Sequence, residues 1–364
     1  MGSGSSTEAE IPNVTPIVDQ EELVRPIKEN GRYRNPFPTY EDRGFTHLMR
    51  LMKDFALNNI SGIPWNNKEE LDKTLPVLKP DIETLAAGEK SNNLRAVWMG
   101  HACVLVKVDD LVVLTDPVWG YKCGPLGKMG AKRYRPPPCS IDELPELDAV
   151  VISHNHYDHL EYSTVVKLNK RFGKNLHWFV AEGQAKWMRD AGCEMVTELT
   201  WWEEASLEKH GHKYTIAATP SQHWCQRTAT DRDKALWASW VVQGPRHNFY
   251  FAGDTGYCFG FRQIGRKYGP FSLAAIPIGA YHPRWFMRPQ HCNPEEAVEM
   301  HVDLRARRSL AIHWGTYVMT VEPYMEPKTK LADAVAARGL HEAAFTTVRH
   351  GEVLDLDSET VEDR

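Results

Sequence analysis

The stretch Val150-Val151-Ile152-Ser153-His154-Asn155-His156-Tyr157-Asp158-His159 decides how the rest of the chain is read. It opens as a continuous apolar run, the pattern of a strand buried on both faces. Within six positions it then releases His154, His156, Asp158 and His159. Neutral imidazole and carboxylate oxygen are zinc-type ligands. A loop at a strand end can aim such side chains at one point while the sheet anchors its backbone. A histidine-rich surface turn is the plain alternative, and the rest of the chain argues against it.

Four ligands are too few for a two-metal site, so three more metal-type residues are expected at other strand ends. They occur. Lys213 to Thr219 runs into Pro220-Ser221-Gln222-His223, Asn248 to Ala252 into Gly253-Asp254-Thr255-Gly256, and Ser309 to Ile312 into His313. Each is a short apolar strand with Gly, Pro or Ser at the turn or a ligand directly after it. One histidine after a strand is ordinarily structural; four strand ends of this kind describe a site.

The pattern His154-x-His156-x-Asp158-His159, then His223, Asp254 and His313, resembles the metallo-β-lactamase superfamily of binuclear metallohydrolases. Other motifs narrow the resemblance: Trp98-Met99-Gly100-His101-Ala102, Leu114-Thr115-Asp116-Pro117, Ser221-Gln222-His223-Trp224-Cys225, Phe251-Ala252-Gly253-Asp254-Thr255-Gly256-Tyr257-Cys258 and Ala274-Ala275-Ile276-Pro277-Ile278-Gly279-Ala280-Tyr281. From about Gly31 to Gly351 the chain resembles the family of N-acylphosphatidylethanolamine-hydrolysing phospholipases D.

That resemblance implies an α/β fold, the αββα sandwich of two mixed β-sheets flanked by helices. It implies two Zn²⁺ per chain, one on His154, His156 and His223, the other on Asp158, His159 and His313, with Asp254 bridging. Asp158 and Asp254 are then catalytic as well as ligating. A hydroxide shared by the two ions attacks the phosphodiester of N-acylphosphatidylethanolamine, giving N-acylethanolamine and phosphatidic acid. Asp116 is expected to orient the ligand loop, because a ligating histidine needs its other ring N–H held. His291, in Pro289-Gln290-His291-Cys292, matches a position near the substrate; Gln290 and Tyr157 are the other expected substrate contacts. Iron-dependent oxidoreductases of this fold carry a carboxylate where this chain has His156, which favours hydrolysis. The competing readings are another binuclear hydrolase of the same fold, acting on a lactone, a lactam or a different phosphodiester, and a non-catalytic metal-binding module.

Composition sets the surroundings. The formal net charge of −5 argues against a nucleic-acid partner held by phosphate attraction. No apolar run approaches a membrane span, so membrane contact is expected to be peripheral. Seven single cysteines without a C-x-x-C pair fit free thiols in a reducing compartment. Cys225 and Cys258, near two proposed ligands, read as wall residues. The resemblance places the chain inside the cell, on the cytosolic face of Golgi or endosomal membranes.

Along the chain, residues 1–30 are expected to be disordered. Met1-Gly2-Ser3-Gly4-Ser5-Ser6 fits an N-myristoylation signal and equally an expression linker. Residues 31–92 form an extension wrapping the core, 93–355 the catalytic domain and 356–364 an acidic tail. Within the extension, Arg43 to Leu57 has a helical apolar period of Phe45, Leu48, Leu51, Met52 and Phe55. This face can lie on a membrane, but packing on the core or in a homodimer is the reading taken. Gly120 to Pro138 reads as a long basic loop, either lining the entrance for an anionic phospholipid or simply solvated. Its Gly120 to Met129 part departs from the family pattern, so no substrate contact is carried over there. Trp201-Trp202 reads as an exposed pair suited to an interface. Asn293-Pro294-Glu295-Glu296 reads as a helix start.

Overall fold

The computed structural model describes residues 22–57, 61–86 and 93–356. The N-terminal acylation or linker segment and the tail from 357 onward lie outside the described residues. Structure is present before residue 30: Ile27–Glu29 pairs antiparallel with Arg32–Arg34. Before that, the Val24 amide donates to Gln263 Oε1. The expected boundary at residue 30 is therefore too late by several residues.

Two seven-stranded sheets face each other. The first runs, in spatial order, Val196–Leu199, His177–Ala181, Ala149–Ile152, Leu111–Thr115, Cys103–Asp109, Asn93–Gly100 and Val353–Asp355. The second runs Glu204–Lys209, His212–Thr219, Ser239–Gln243, Asn248–Phe251, Leu273–Pro277, Ser309–Ile312 and Phe345–Thr346. Both are mixed. In the first, Leu111–Thr115 through Val196–Leu199 are parallel and the remaining pairings antiparallel. In the second, an antiparallel meander gives way to parallel pairing from Asn248–Phe251 onward.

The apolar run at 149–152 shows why the sandwich forms. Ala149 and Val151 point into the layer between the sheets. Val150 and Ile152 point outward under Val165, Leu168 and Phe172 of the helix Tyr162–Phe172. A strand apolar on both faces needs cover on both, and the second sheet and this helix supply it. The second sheet is covered by the helices Gly260–Tyr268, Pro294–Asp303 and Glu326–Ala337, whose buried side chains join the same core. Asn293 caps Pro294–Asp303 reciprocally with Glu296.

Two readings of the sequence are corrected. Trp201 and Trp202 are buried, at 1% and 8% exposure. Their indole N–H groups donate to the carbonyls of Trp237 and Val24, so the pair is a core feature and offers no interface. The basic segment is also not uniformly loop or uniformly surface. Lys122–Cys123 and Ala131–Lys132 form a short hairpin. Arg133 is buried and donates to the carbonyls of Gly120, Val118 and Arg135, while buried Arg135 pairs with Asp72. One charge holds the backbone and the other a carboxylate, so neither is free to meet a lipid.

Candidate metal centre

The strand ends named from the sequence converge on one edge of the sandwich. Leu111–Thr115 and Ala149–Ile152 run parallel, so Asp116 and Ser153 emerge side by side. The Ser153 amide donates to Asp116 Oδ1 at 2.7 Å. From the second sheet, His212–Thr219, Asn248–Phe251 and Ser309–Ile312 lead to His223, Asp254 and His313. The ligand loops nearly touch at Gly253: a Cβ there would come within 2.5 Å of Ser153 Cβ, and its φ of +60° suits only glycine comfortably. Asp116 and His313 also hold positive φ, 32° and 60°, a strain that the surrounding packing maintains.

Two groups of nitrogen and oxygen atoms result. His154, His156 and His223 form the first, with His154 Nε2 and His223 Nε2 at 2.8 and 3.3 Å from His156 Nδ1. Asp158, His159 and His313 form the second, together with His101. Asp254 lies between them. Its Oδ2 is 3.1 Å from His159 Nε2, 3.8 Å from His223 Nε2 and 4.0 Å from His154 Nε2, and its Oδ1 is 3.0 Å from His313 Nε2. All are buried except His156, which is half-buried.

Each outer partner fixes which ring nitrogen faces inward. Asp116 Oδ2 lies 2.6 Å from His159 Nδ1, the Gln290 carbonyl 3.0 Å from His223 Nδ1, and Ser153 Oγ 2.9 Å from His154 Nδ1. Gln290 thus serves the site through its backbone, while its side chain turns to Met287 Sδ. Tyr157 donates its hydroxyl to the Arg227 carbonyl, and its ring lies under the Arg227 guanidinium. His291 is buried with Nδ1 4.0 Å from Asp254 Oδ2, and groups with His223 and Asp254.

The electrostatics suit cation ligands. Burial, then the neighbouring imidazoles, push His154 far below its ordinary value. Burial and His223 take His156 to about 3, and burial takes His223 to about 4 against the pull of Asp254. All three are neutral at pH 7, lone pairs free. Burial opposes ionisation of Asp158 and Asp254, but His159 and further histidines outweigh it and hold both carboxyls well below the usual range. A fit test comes from buried polar atoms. His159 Nε2, His313 Nε2 and Asp254 Oδ1, which face one another in the cluster, have no hydrogen-bond partner. Groups of this kind are costly to bury unless something coordinates them. The donor set therefore fits divalent metal.

Two residues escaped the sequence reading. His101 is 2% exposed, with Nε2 3.0 Å from Asp158 Oδ2. It follows the strand Asn93–Gly100, so the rule that found the other ligands covers it too. Arg227 donates to the carbonyls of Asn155 and Leu160 and so pins the ligand loop; nothing local marks it. Cys225 and Cys258 are buried free thiols outside every ligand group among the described residues. A cavity of about 460 Å³, lined by His156, Asp158, His223, Asp254, Gln290 and His291, opens over the cluster. Tyr157 separates it from a second, of about 620 Å³, that runs beneath Pro125–Gly127 toward Trp187.

Residues 112–314 match the β-lactamase superfamily domain. The chain is 41% identical over 351 residues to N-acyl-phosphatidylethanolamine-hydrolyzing phospholipase D 1 of Caenorhabditis elegans, covering 93% of this chain and 96% of that protein. This chain is a member of the N-acylphosphatidylethanolamine-hydrolysing phospholipase D family. A second member, the mitochondrial enzyme of Saccharomyces cerevisiae, is 32% identical over 344 residues, 84% of this chain and 72% of that one. Among solved structures, a metallo hydrolase from Ignicoccus hospitalis superposes with a TM-score of 0.53 at 21% identity, covering 72% of this chain and 98% of its own. The chain is thus built on the β-lactamase superfamily fold and carries clusters of metal-ligand type. No described helix is long and apolar enough to cross a membrane. The Golgi or endosomal expectation finds no support among the relatives, since the yeast member is named mitochondrial.

Proposed function

We propose that this chain is a binuclear zinc phosphodiesterase that hydrolyses N-acylphosphatidylethanolamine to N-acylethanolamine and phosphatidic acid. The observation that carries the reading is Asp254, whose Oδ2 lies 3.8 Å from His223 Nε2 in one ligand group while its Oδ1 lies 3.0 Å from His313 Nε2 in the other. His154, His156 and His223 would hold one ion, Asp158, His159 and His313 the other, with Asp254 between. Two such ions supply Lewis acidity and a water-derived nucleophile at neutral pH.

The protein's own groups do the rest. The cavity over the cluster admits the head group. Tyr157 and His291 line it, and His291 is placed to donate to a phosphoryl oxygen. Asp158 and Asp254, ionised and buried, are placed to take up and return the proton that the departing alkoxide requires. The diacyl substrate leaves a bilayer at about 0.8 kcal/mol per CH₂ group, so the enzyme works at a membrane surface. The face of the helix Phe45–Leu57 is the candidate contact for a second copy, which light scattering reads directly.

The test is a panel of N-acylphosphatidylethanolamine, lactones and a model phosphodiester, read by mass spectrometry. N-acylethanolamine and phosphatidic acid in equal amounts are expected. Turnover of a lactone with none of the phospholipid would place the chain with the other hydrolases of this fold.

A further inference from the structure

The hairpin Lys122–Cys123/Ala131–Lys132 raises a tip, Gly124 to Gly130, that the chemistry above does not use. Its side chains are in the wrong place for a soluble surface. Leu126 is 89% exposed, Met129 66%, and Tyr121 at the base 60%. Leu126 also sits at φ 59°, the left-handed region that bulky residues avoid. A large apolar side chain held both strained and exposed points to function. The base, in contrast, is built rigidly. Cys123 packs with Val118 and Tyr317, the Lys122 ammonium donates to the Lys128 carbonyl, and Arg133 donates to the Gly120 carbonyl just before the hairpin.

Charge and position name the occupant. Lys122, Lys128 and Lys132 surround the tip, and no acidic residue occurs between Val118 and Pro138. Lys122, Pro125, Leu126 and Gly127 border the 620 Å³ cavity, and Cys123 borders the metal cavity. Leu51 of the helix Phe45–Leu57 borders that same metal cavity, and on this helix Met49 and Met52 are 50% and 58% exposed. Apolar side chains ringed by ammonium groups at the mouth of a site suit a phospholipid surface, with tails taking the apolar tip and phosphates the lysines.

We propose that the Gly124–Gly130 tip inserts Leu126 and Met129 into the phospholipid bilayer and sets the metal cavity against the head groups. This rests on the reading of the substrate as a membrane lipid. Vesicle co-sedimentation tests it, with phosphatidylcholine alone and with about one-third phosphatidylserine. Thermal midpoint and metal content verify the fold of each variant. Leu126→Asp/Met129→Asp is expected to lower partitioning on the order of tenfold or more on both vesicles. Salt and removal of the anionic lipid are expected to lower it less. Leu126→Gly suits the left-handed backbone, keeps the fold and is expected to lose binding severalfold, so a misfolded double variant does not spoil the test.

Wild-type binding that both variants retain overturns the proposal, as does the absence of any vesicle binding. Variants that change only the oligomeric state would make the tip a contact between copies and also overturn it. The two readings separate cleanly because partitioning needs no turnover. Tip-dependent binding without hydrolysis refutes the proposed reaction alone; hydrolysis of dispersed lipid with tip-independent binding refutes this inference alone.

Discussion

Nε2 of His101 lies 3.0 Å from Oδ2 of Asp158 on the floor of the metal centre. The same residue's carbonyl accepts the amide of His313 at 2.9 Å, and its own amide donates to Thr316 Oγ1. One residue thus touches a candidate ligand from each sheet. With Asp158 ionised, the His101 imidazole donates to the same oxygen that faces His159 Nε2 and His313 Nε2 at 3.3 and 3.7 Å, and so fixes where that oxygen points.

Removing that donor is expected to weaken the site served by Asp158, His159 and His313. His101→Ala should lower affinity for one of two zinc ions by about 10–100-fold and spare the other. Competition with a chromophoric chelator measures both. Equal affinities in wild type and variant would make the contact incidental.

Elemental analysis of the wild type is expected to give about two zinc ions per chain, with activity abolished by chelation and restored by zinc. Asp254→Asn and His223→Ala should lose nearly all turnover while staying folded. His291→Ala should slow turnover with metal content unchanged. Metal loss in that variant would make His291 a ligand, which its grouping with His223 and Asp254 permits.

The buried tryptophans make a stability prediction. Trp201→Ala removes an indole that is 1% exposed and packed against Phe37 and Trp237. A loss of about 3–5 kcal/mol is expected in denaturant unfolding. A stable variant that had selectively lost vesicle binding would restore an outward role for this pair.

His350 predicts a pH dependence. It is buried, stacks on Trp98 at 4.0 Å between ring centres and meets Thr316. Burial, then Arg133 and Arg135, push it down to about 3. The unfolded chain, near 6.5, binds this proton more readily. The contribution is therefore complete above about pH 6.5 and declines as pH falls toward the folded value, by up to about 1.4 kcal/mol per pH unit. His350→Gln should flatten that decline. An unchanged slope across about pH 7 to 4 would assign it to other buried histidines.

What the sequence discloses here is what is encoded locally. An apolar run followed by a turn residue and a ligand is a local pattern, and it located His154, His223, Asp254 and His313 in the cluster the structure forms. His101 obeys the same pattern but sits in a tight turn between antiparallel strands, where histidine reads as a turn residue. Its meaning comes from Thr316 and His313, far along the chain. Trp202 was misread for the same reason, since its indole partner is the Val24 carbonyl. Arg133 and Arg135 read as surface charge because the carbonyls and the carboxylate that accept their hydrogen bonds leave no trace in composition.

The strand Val353–Asp355 pairs with Asn93–Gly100 and closes the edge of the first sheet. A ribosome makes it after His313, so a nascent chain carries every proposed ligand before that edge has a partner. Until then an eight-residue strand offers its unpaired amides and carbonyls to any neighbouring chain. A message truncated just beyond His313 would thus yield a polypeptide with all its metal chemistry written and an open edge that invites aggregation.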